Sequence, residues 1–198
     1  MWLALAFASA FLLGCYEVNK KISLNGNAVI PVLFLNTLIS SLIFVPFIFL
    51  SFCTNVLDDT MFYVPRVSFE AHVAVFIKAV IVLSSWISGY FALKHLPLTI
   101  TGPIKATQPV LTLVGAMVIF GERLNLYQWI GVLLSIASFY MLSSSGKKEG
   151  INFTHNKWIF FTIISIITGA MSGLYDKHLM GSMVVMTVQV WFNVYQCL

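Results

Sequence analysis

Leu98 to Phe120 reads LTITGPIKATQPVLTLVGAMVIF, an apolar run with one lysine set between two prolines. A hydrocarbon core about 30 Å thick is crossed by roughly 20 helical residues, so this run is long enough to span a bilayer. Pro103 and Pro109 each remove a helical donor and crowd the preceding turn, which predicts a kink or local unwinding around Lys105. Carbonyls freed at that depth need polar partners. Thr101, Lys105, Gln108 and Thr112 follow one another at spacings of four, three and four, and so share one helical face. A lysine near a helix centre costs roughly 2.5–3.5 kcal/mol on insertion scales, so that face is expected to meet a partner or a wet cavity rather than lipid. The competing reading is a snorkelling Lys105, which lies about 10 Å past Leu98 by helical rise, within partial reach of the interface. The polar stripe and the paired prolines favour the cavity.

Composition sets the class. Of 198 residues, 59% are hydrophobic and 9% charged, and the mean hydropathy is +0.92, whereas about a quarter of a soluble domain is charged. The chain therefore reads as an all-α, polytopic membrane helix bundle whose first partner is the lipid bilayer. Its +4 charge is spread over short connections without a basic run, which gives nucleic-acid binding no support. Cys15, Cys53 and Cys197 are far apart and read as small apolar fillers rather than as a disulfide framework or metal site. None of His72, His95, His155 and His178 has a companion at catalytic or metal-ligand spacing, so no enzyme or metal site is expected. Asn152-Phe153-Thr154 fits a glycosylation sequon that matters only in a secretory pathway.

Along the chain, seven helices are expected. The first runs from Met1 to about Ile22 and lacks the basic start and cleavage site of a signal peptide, so it should remain as a membrane helix. Glu17 lies within its apolar length and needs a partner, while Lys20 and Lys21 read as interfacial anchors. The second helix spans about Ala28 to Phe52, with Asn36 and Ser40 on one face for a cavity wall or an interhelical bond. A polar connection holding Asp58 and Asp59 leads to the third, about Ala71 to Lys94, in which Lys78 reads as snorkelling. His95-Leu96-Pro97 is a turn between antiparallel neighbours, and Gly121-Glu122-Arg123 ends the fourth helix. Asn125 is a cap for the fifth, about Leu126 to Ser143, where Gly131, Ser135 and Ser138 make a small-residue face. Residues 146–156 read as a linker. The sixth helix, about Lys157 to Met180, carries Asp176 and a small-xxx-small edge of Gly169 and Gly173. The apolar stretch from Met183 is shorter than a bilayer span at Leu198, which predicts truncation within a seventh helix.

Gly14-Cys15-Tyr16-Glu17 in the first helix recurs as Gly173-Leu174-Tyr175-Asp176 in the sixth, and Leu35-Asn36 in the second as Phe192-Asn193 in the seventh. The two offsets differ by two residues, as in a duplicated unit. The unit is five helices, and an odd number puts the second copy upside down, the inverted-repeat arrangement that supports alternating access about a midplane site. The domains are then 1–145, a first five-helix repeat; 146–156, a linker; and 157–198, the start of a second repeat.

Depth suggests a partner for the buried charges. Glu17 stands about five residues before the end of the first helix and Lys105 seven after the start of the fourth, so in an up-and-down topology both lie about 7–10 Å from the same surface. They are expected to pair, with Asp176 mirroring Glu17 on the opposite side; Lys20 and Lys21 compete for Glu17 from one turn away. A cationic cavity residue favours anionic substrates, and Glu17 and Asp176 pull the other way.

These residues carry a resemblance. Ala92-Leu93-Lys94 before a Leu-Pro turn, Pro103 and Pro109 with Val110 after them, Gly121-Glu122-Arg123-Leu124, and Gln128-Trp129-Ile130-Gly131 resemble the end of an EamA-type repeat of the drug/metabolite transporter superfamily. The resemblance implies ten helices in two inverted repeats and movement of small metabolites or drugs across a cell membrane, the bacterial inner membrane here, without a bound cofactor. It makes Glu17, Asn36, Thr101, Lys105, Gln108, Thr112 and Asp176 the candidate cavity or substrate-binding residues, with a small molecule as partner and homodimer formation left open. It also implies a cytoplasmic N-terminus, against the preference of the positive-inside rule for Lys20, Lys21, Lys94, Lys147, Lys148 and Lys157. The alternative is a non-transporting membrane assembly or receptor-like protein, which would scatter these polar groups among packing faces.

Overall fold

The computed structural model describes residues 2–54, 56–57, 60, 62–121, 123–146 and 156–198, the side chains of 2–3, 138–140 and 142–146 excepted. Asp58, Asp59, Glu122, His155, the sequon at Asn152 and the linker from Lys147 onward lie outside the described residues, as does the side chain of Ser138.

The described residues form eight helices: α1 (Trp2–Leu24), α2 (Val29–Cys53), α3 (Phe69–His95), α4 (Leu98–Lys105), α5 (Gln108–Phe120), α6 (Leu126–Gly146), α7 (Lys157–Met180) and α8 (Val185–Cys197). Seven were expected, and the difference is the break at Lys105. Pro109 cannot donate to the Lys105 carbonyl. The chain instead closes a tight turn through Ala106 N to Gly102 O at 2.9 Å and Thr107 N to Ile104 O at 3.2 Å, then restarts with Pro109 in its first turn. At the far end Gly121 adopts φ 65°, the left-handed C-terminal conformation that an L side chain resists.

Other termini follow from single polar residues. Ser68 accepts from Ala71 N and starts α3 two residues earlier than expected, with Glu70 in its first turn complementing the helix dipole. Asn125 Oδ1 accepts from Leu126 N at 2.6 Å, and Gln128 Oε1 reaches back to Asn125 N at 2.8 Å. Asn156 accepts from Trp158 N to open α7.

Among the described residues, four stretches are long and apolar enough to cross a membrane: Val29–Cys53, Phe69–His95, Leu98–Phe120 and Lys157–Met180, with a shorter apolar helix over Leu126–Ala137. The molecule is an all-α, multi-pass membrane bundle. Phe7, Phe11 and Val118 are each at least 72% exposed on its outside, which suits lipid as the solvent.

The centre of the bundle is α3 rather than the 98–120 run. It packs along α7 and against α1, α2 and α8. One core cluster joins Val75, Ala79 and Val82 of α3 to Leu179 of α7 and to Val188 and Phe192 of α8. A second joins Tyr90 and Leu93 to Leu24 of α1 and to Val29 and Leu33 of α2. Close approach of α3 to α7 needs Gly89, where a Cβ would stand 2.7 Å from Ser165 Oγ. There Ser85 Oγ donates to Ser165 O at 2.7 Å and Ser165 Oγ to Ser85 O at 2.8 Å. These reciprocal bonds satisfy two hydroxyls inside the bundle. On α6, Gly131 has open space beside it among the described residues, and Ser135 is exposed and bonds back to Gly131 O.

Candidate functional site

Three charged side chains from two helices meet beside the break in the 98–120 run. Glu17 of α1 binds Lys20 with Oε1, and Lys105, the last residue of α4, stands 3.3 Å from Glu17 Oε2. The side chain of Lys20 is 8% exposed, that of Lys105 23% and that of Glu17 26%. Lys20 reaches inward because Glu17 is one turn below it on the same helix, and because two aromatic faces cover its ammonium. Its Nζ lies 4.7 Å from the Tyr16 ring centroid and 5.1 Å from that of Tyr90. The two tyrosine hydroxyls are 3.2 Å apart, and Asn36 of α2 lies half-buried against that of Tyr16. Glu17, Lys105 and Asn36 are thus gathered in one place, with Lys20, Tyr16 and Tyr90 added.

Two assignments to the membrane surface need correction. Lys20 is not an interfacial anchor, because Glu17 and the aromatic pair hold it in the bundle. Lys21 is engaged too: its Nζ donates to Leu93 O at 2.5 Å and Leu96 O at 2.8 Å, capping the end of α3. The largest correction concerns Lys78. Expected to snorkel, its side chain is 4% exposed and forms an ion pair with Asp176 of α7, with the Phe192 ring 4.5 Å from its ammonium. The signal was present in the sequence: Lys78 falls within the stripe of Val75, Ala79 and Val82 that faces the neighbouring helices.

The remaining candidates are divided. Asp176 belongs to the Lys78 pair, and Lys78 stands twelve residues from Tyr90, about 18 Å along α3, so the two charge clusters are separate. Thr101 is fully buried and donates to Pro97 O at 3.3 Å. Gln108 and Thr112 of α5 face α7, where Gly169 and Gly173 make room for them. A Cβ at Gly169 would stand 2.8 Å from Gln108 Nε2, and one at Gly173 would stand 3.3 Å from Thr112 Cγ2. Ser40, on the face of Asn36, donates to Asn193 Oδ1 of α8 at 2.5 Å. The second helix therefore touches α8 through its polar face.

Among the described residues, no group of three or more His, Cys, Asp or Glu side chains is placed to hold a metal ion. Cys15 and Cys53 lie on the outside of the bundle rather than filling its core.

The EamA-like transporter family model matches residues 1–144. No curated protein and no solved structure matches the chain.

Proposed function

The chain belongs to the EamA-like transporter family, and on that premise we propose that it takes part in moving a small metabolite or drug across a cell membrane, the bacterial inner membrane, by alternating access. Residues 1–145 form one five-helix unit, 146–156 a linker and 157–198 the opening of a second, inverted unit. Glu17, Asn36, Lys105, Gln108 and Thr112 line the path on the first unit, with Thr101 behind them and Asp176 on the second.

The observation that carries this reading is the charge cluster beside the helix break. Ionised groups at membrane depth are costly, and helix interruptions expose backbone carbonyls there; the two coincide at Lys105. Further support comes from the pairs Lys105–Glu17 and Lys78–Asp176, in which each of the two acids stands against a lysine from another helix.

One observation favours the alternative, a packing protein: Gln108 and Thr112 rest on glycines of α7. Alternating access requires that contact to open. Single cysteines at Gln108 and Thr112, in a background with Cys15, Cys53 and Cys197 changed to serine, are treated with a charged, membrane-impermeant thiol reagent in right-side-out and inverted vesicles. Labelling from at least one side, with Val118→Cys unlabelled, is expected of a transporter. Two inert positions from both sides would make α5 an ordinary packing helix and remove the proposal.

A further inference from the structure

We infer that the cluster of Glu17, Lys20 and Lys105 is a binding site for a small, singly charged organic carboxylate. This deepens the transport reading and rests on it for what the site is used for; the binding itself stands on the cluster.

Charge balance comes first. Two ammonium groups share one carboxylate, Lys20 on Oε1 and Lys105 on Oε2, so the three side chains carry a formal excess of one positive charge. Among the described residues, the other half-buried acid of the bundle, Asp176, is held by Lys78 about 18 Å away along α3. An uncompensated cation at membrane depth costs roughly 2.5–3.5 kcal/mol on insertion scales, and one incoming monoanion removes that excess. A cation or a neutral zwitterion does not. A phosphate monoester brings about −1.5 to −2 charges at pH 7 and overshoots.

Donor geometry points the same way. Each ammonium offers three N–H donors and accepts none. Glu17 takes one from each lysine, at its two different oxygens; the other N–H groups of Lys20 face the two tyrosine rings, and Lys105 keeps N–H groups for one further acceptor. The Tyr16 and Tyr90 hydroxyls, 3.2 Å apart, add polar groups beside Lys20, and their rings wall it with apolar surface. Lysine acts as a point charge that does not demand the planar, forked geometry arginine imposes, so a small carboxylate is held by charge with freedom in orientation. Lys20 is the built part of the site, nine-tenths buried and fixed by Glu17 and two rings; Lys105 is the more accessible arm.

The test follows the unfolding midpoint of the purified protein in neutral detergent at constant ionic strength, titrated with benzoate, inorganic phosphate, alanine, choline or chloride. Benzoate should raise the midpoint saturably, at a half-saturating concentration about tenfold below that of phosphate, and the other three should leave it unchanged. Lys105→Arg should keep the shift, Lys105→Met should lose it, and Glu17→Gln, which removes the competing carboxylate, should strengthen it. Lys157→Met, which removes an exposed lysine at the start of α7, should respond as wild type. A larger shift with phosphate or choline, an equal shift with chloride, or a benzoate response that survives both Lys20→Met and Lys105→Met would overturn the inference. Lys105→Arg and Glu17→Gln decide the matter if the methionine variants do not fold. Benzoate counterflow in proteoliposomes separates this from the parent reading. Binding without flux removes transport and keeps the site, whereas cysteine accessibility without benzoate binding keeps transport and removes the carboxylate.

Discussion

Replacing Asp176 with asparagine strands a buried cation. Lys78 is 4% exposed and sits among Val75, Ala79, Val82 and Phe192, so without the Asp176 charge its ammonium keeps, among the described residues, the neutral amide oxygen of the new side chain and the Phe192 ring. Breaking a buried pair by removing one partner costs about 3–5 kcal/mol, and Asp176→Asn should fall in that range. The reverse change is milder. Asp176 is 31% exposed at its side chain, so Lys78→Met leaves a carboxylate that can still reach water, at a cost of about 1–3 kcal/mol. The double variant, Lys78→Met with Asp176→Asn, replaces the pair by an apolar chain and a neutral amide and should recover most of the loss, since buried pairs exchanged for apolar packing are about neutral or better. Thermal or denaturant unfolding of the four proteins in one detergent closes the cycle: the single losses sum to about 4–8 kcal/mol, so a double variant near neutral gives a coupling energy of about 3 kcal/mol or more. Equal losses for the two single variants, or strictly additive losses in the double, would refute the assignment of the cost to a stranded Lys78.

Three further outcomes follow from packing, backbone geometry and one interhelical bond. Gly89→Ala should cost about 1–3 kcal/mol, because the new methyl meets Ser165 Oγ, which is tied to Ser85 and cannot swing aside. Gly131→Ala, with open space around it, should gain up to about 1 kcal/mol of helix propensity; the two variants are compared by unfolding midpoint. Gly121→Ala forces an L side chain to φ 65° and should lose about 1–2 kcal/mol, whereas Gly102→Ala, also uncrowded and inside α4, should not. Ser40→Ala should destabilise by about 0.6 kcal/mol and no more than about 1.7, the range of interhelical bonds in membranes, and the loss should vanish in an Asn193→Ala background.

What the sequence made legible was one-dimensional: where helices begin and end, where one breaks, and how deep a charge lies. Proline chemistry located the interruption at Lys105, glycine the left-handed end at Gly121, and helical rise put Glu17 and Lys105 at matching depth. Azimuth was not legible, because no spacing along a single helix tells which neighbour its buried face meets. Lys78 and Asp176 are ninety-eight residues apart, and their meeting depends on how α3 and α7 are rotated about their axes. Lys20 escaped for a related reason. Near a helix end, anchoring and inward pairing have the same sequence signature, and only Tyr90, from another helix, distinguishes them. The hub role of α3 also needed three dimensions, since its hydropathy resembles that of helices facing lipid on one side.

The break between α4 and α5 lies next to the residue whose charge is held, and this has a mechanical consequence. A rod that bends at its point of attachment moves its free arm without moving the attachment. The arm here is α5, thirteen residues long or about 20 Å, so a swing of about 15° at Ala106–Thr107 carries Phe120 about 5 Å sideways. Lys105, on the other side of the bend, can stay against Glu17 throughout. The ion pair then stands where a fulcrum would, and rotation of α5 about the break leaves it intact.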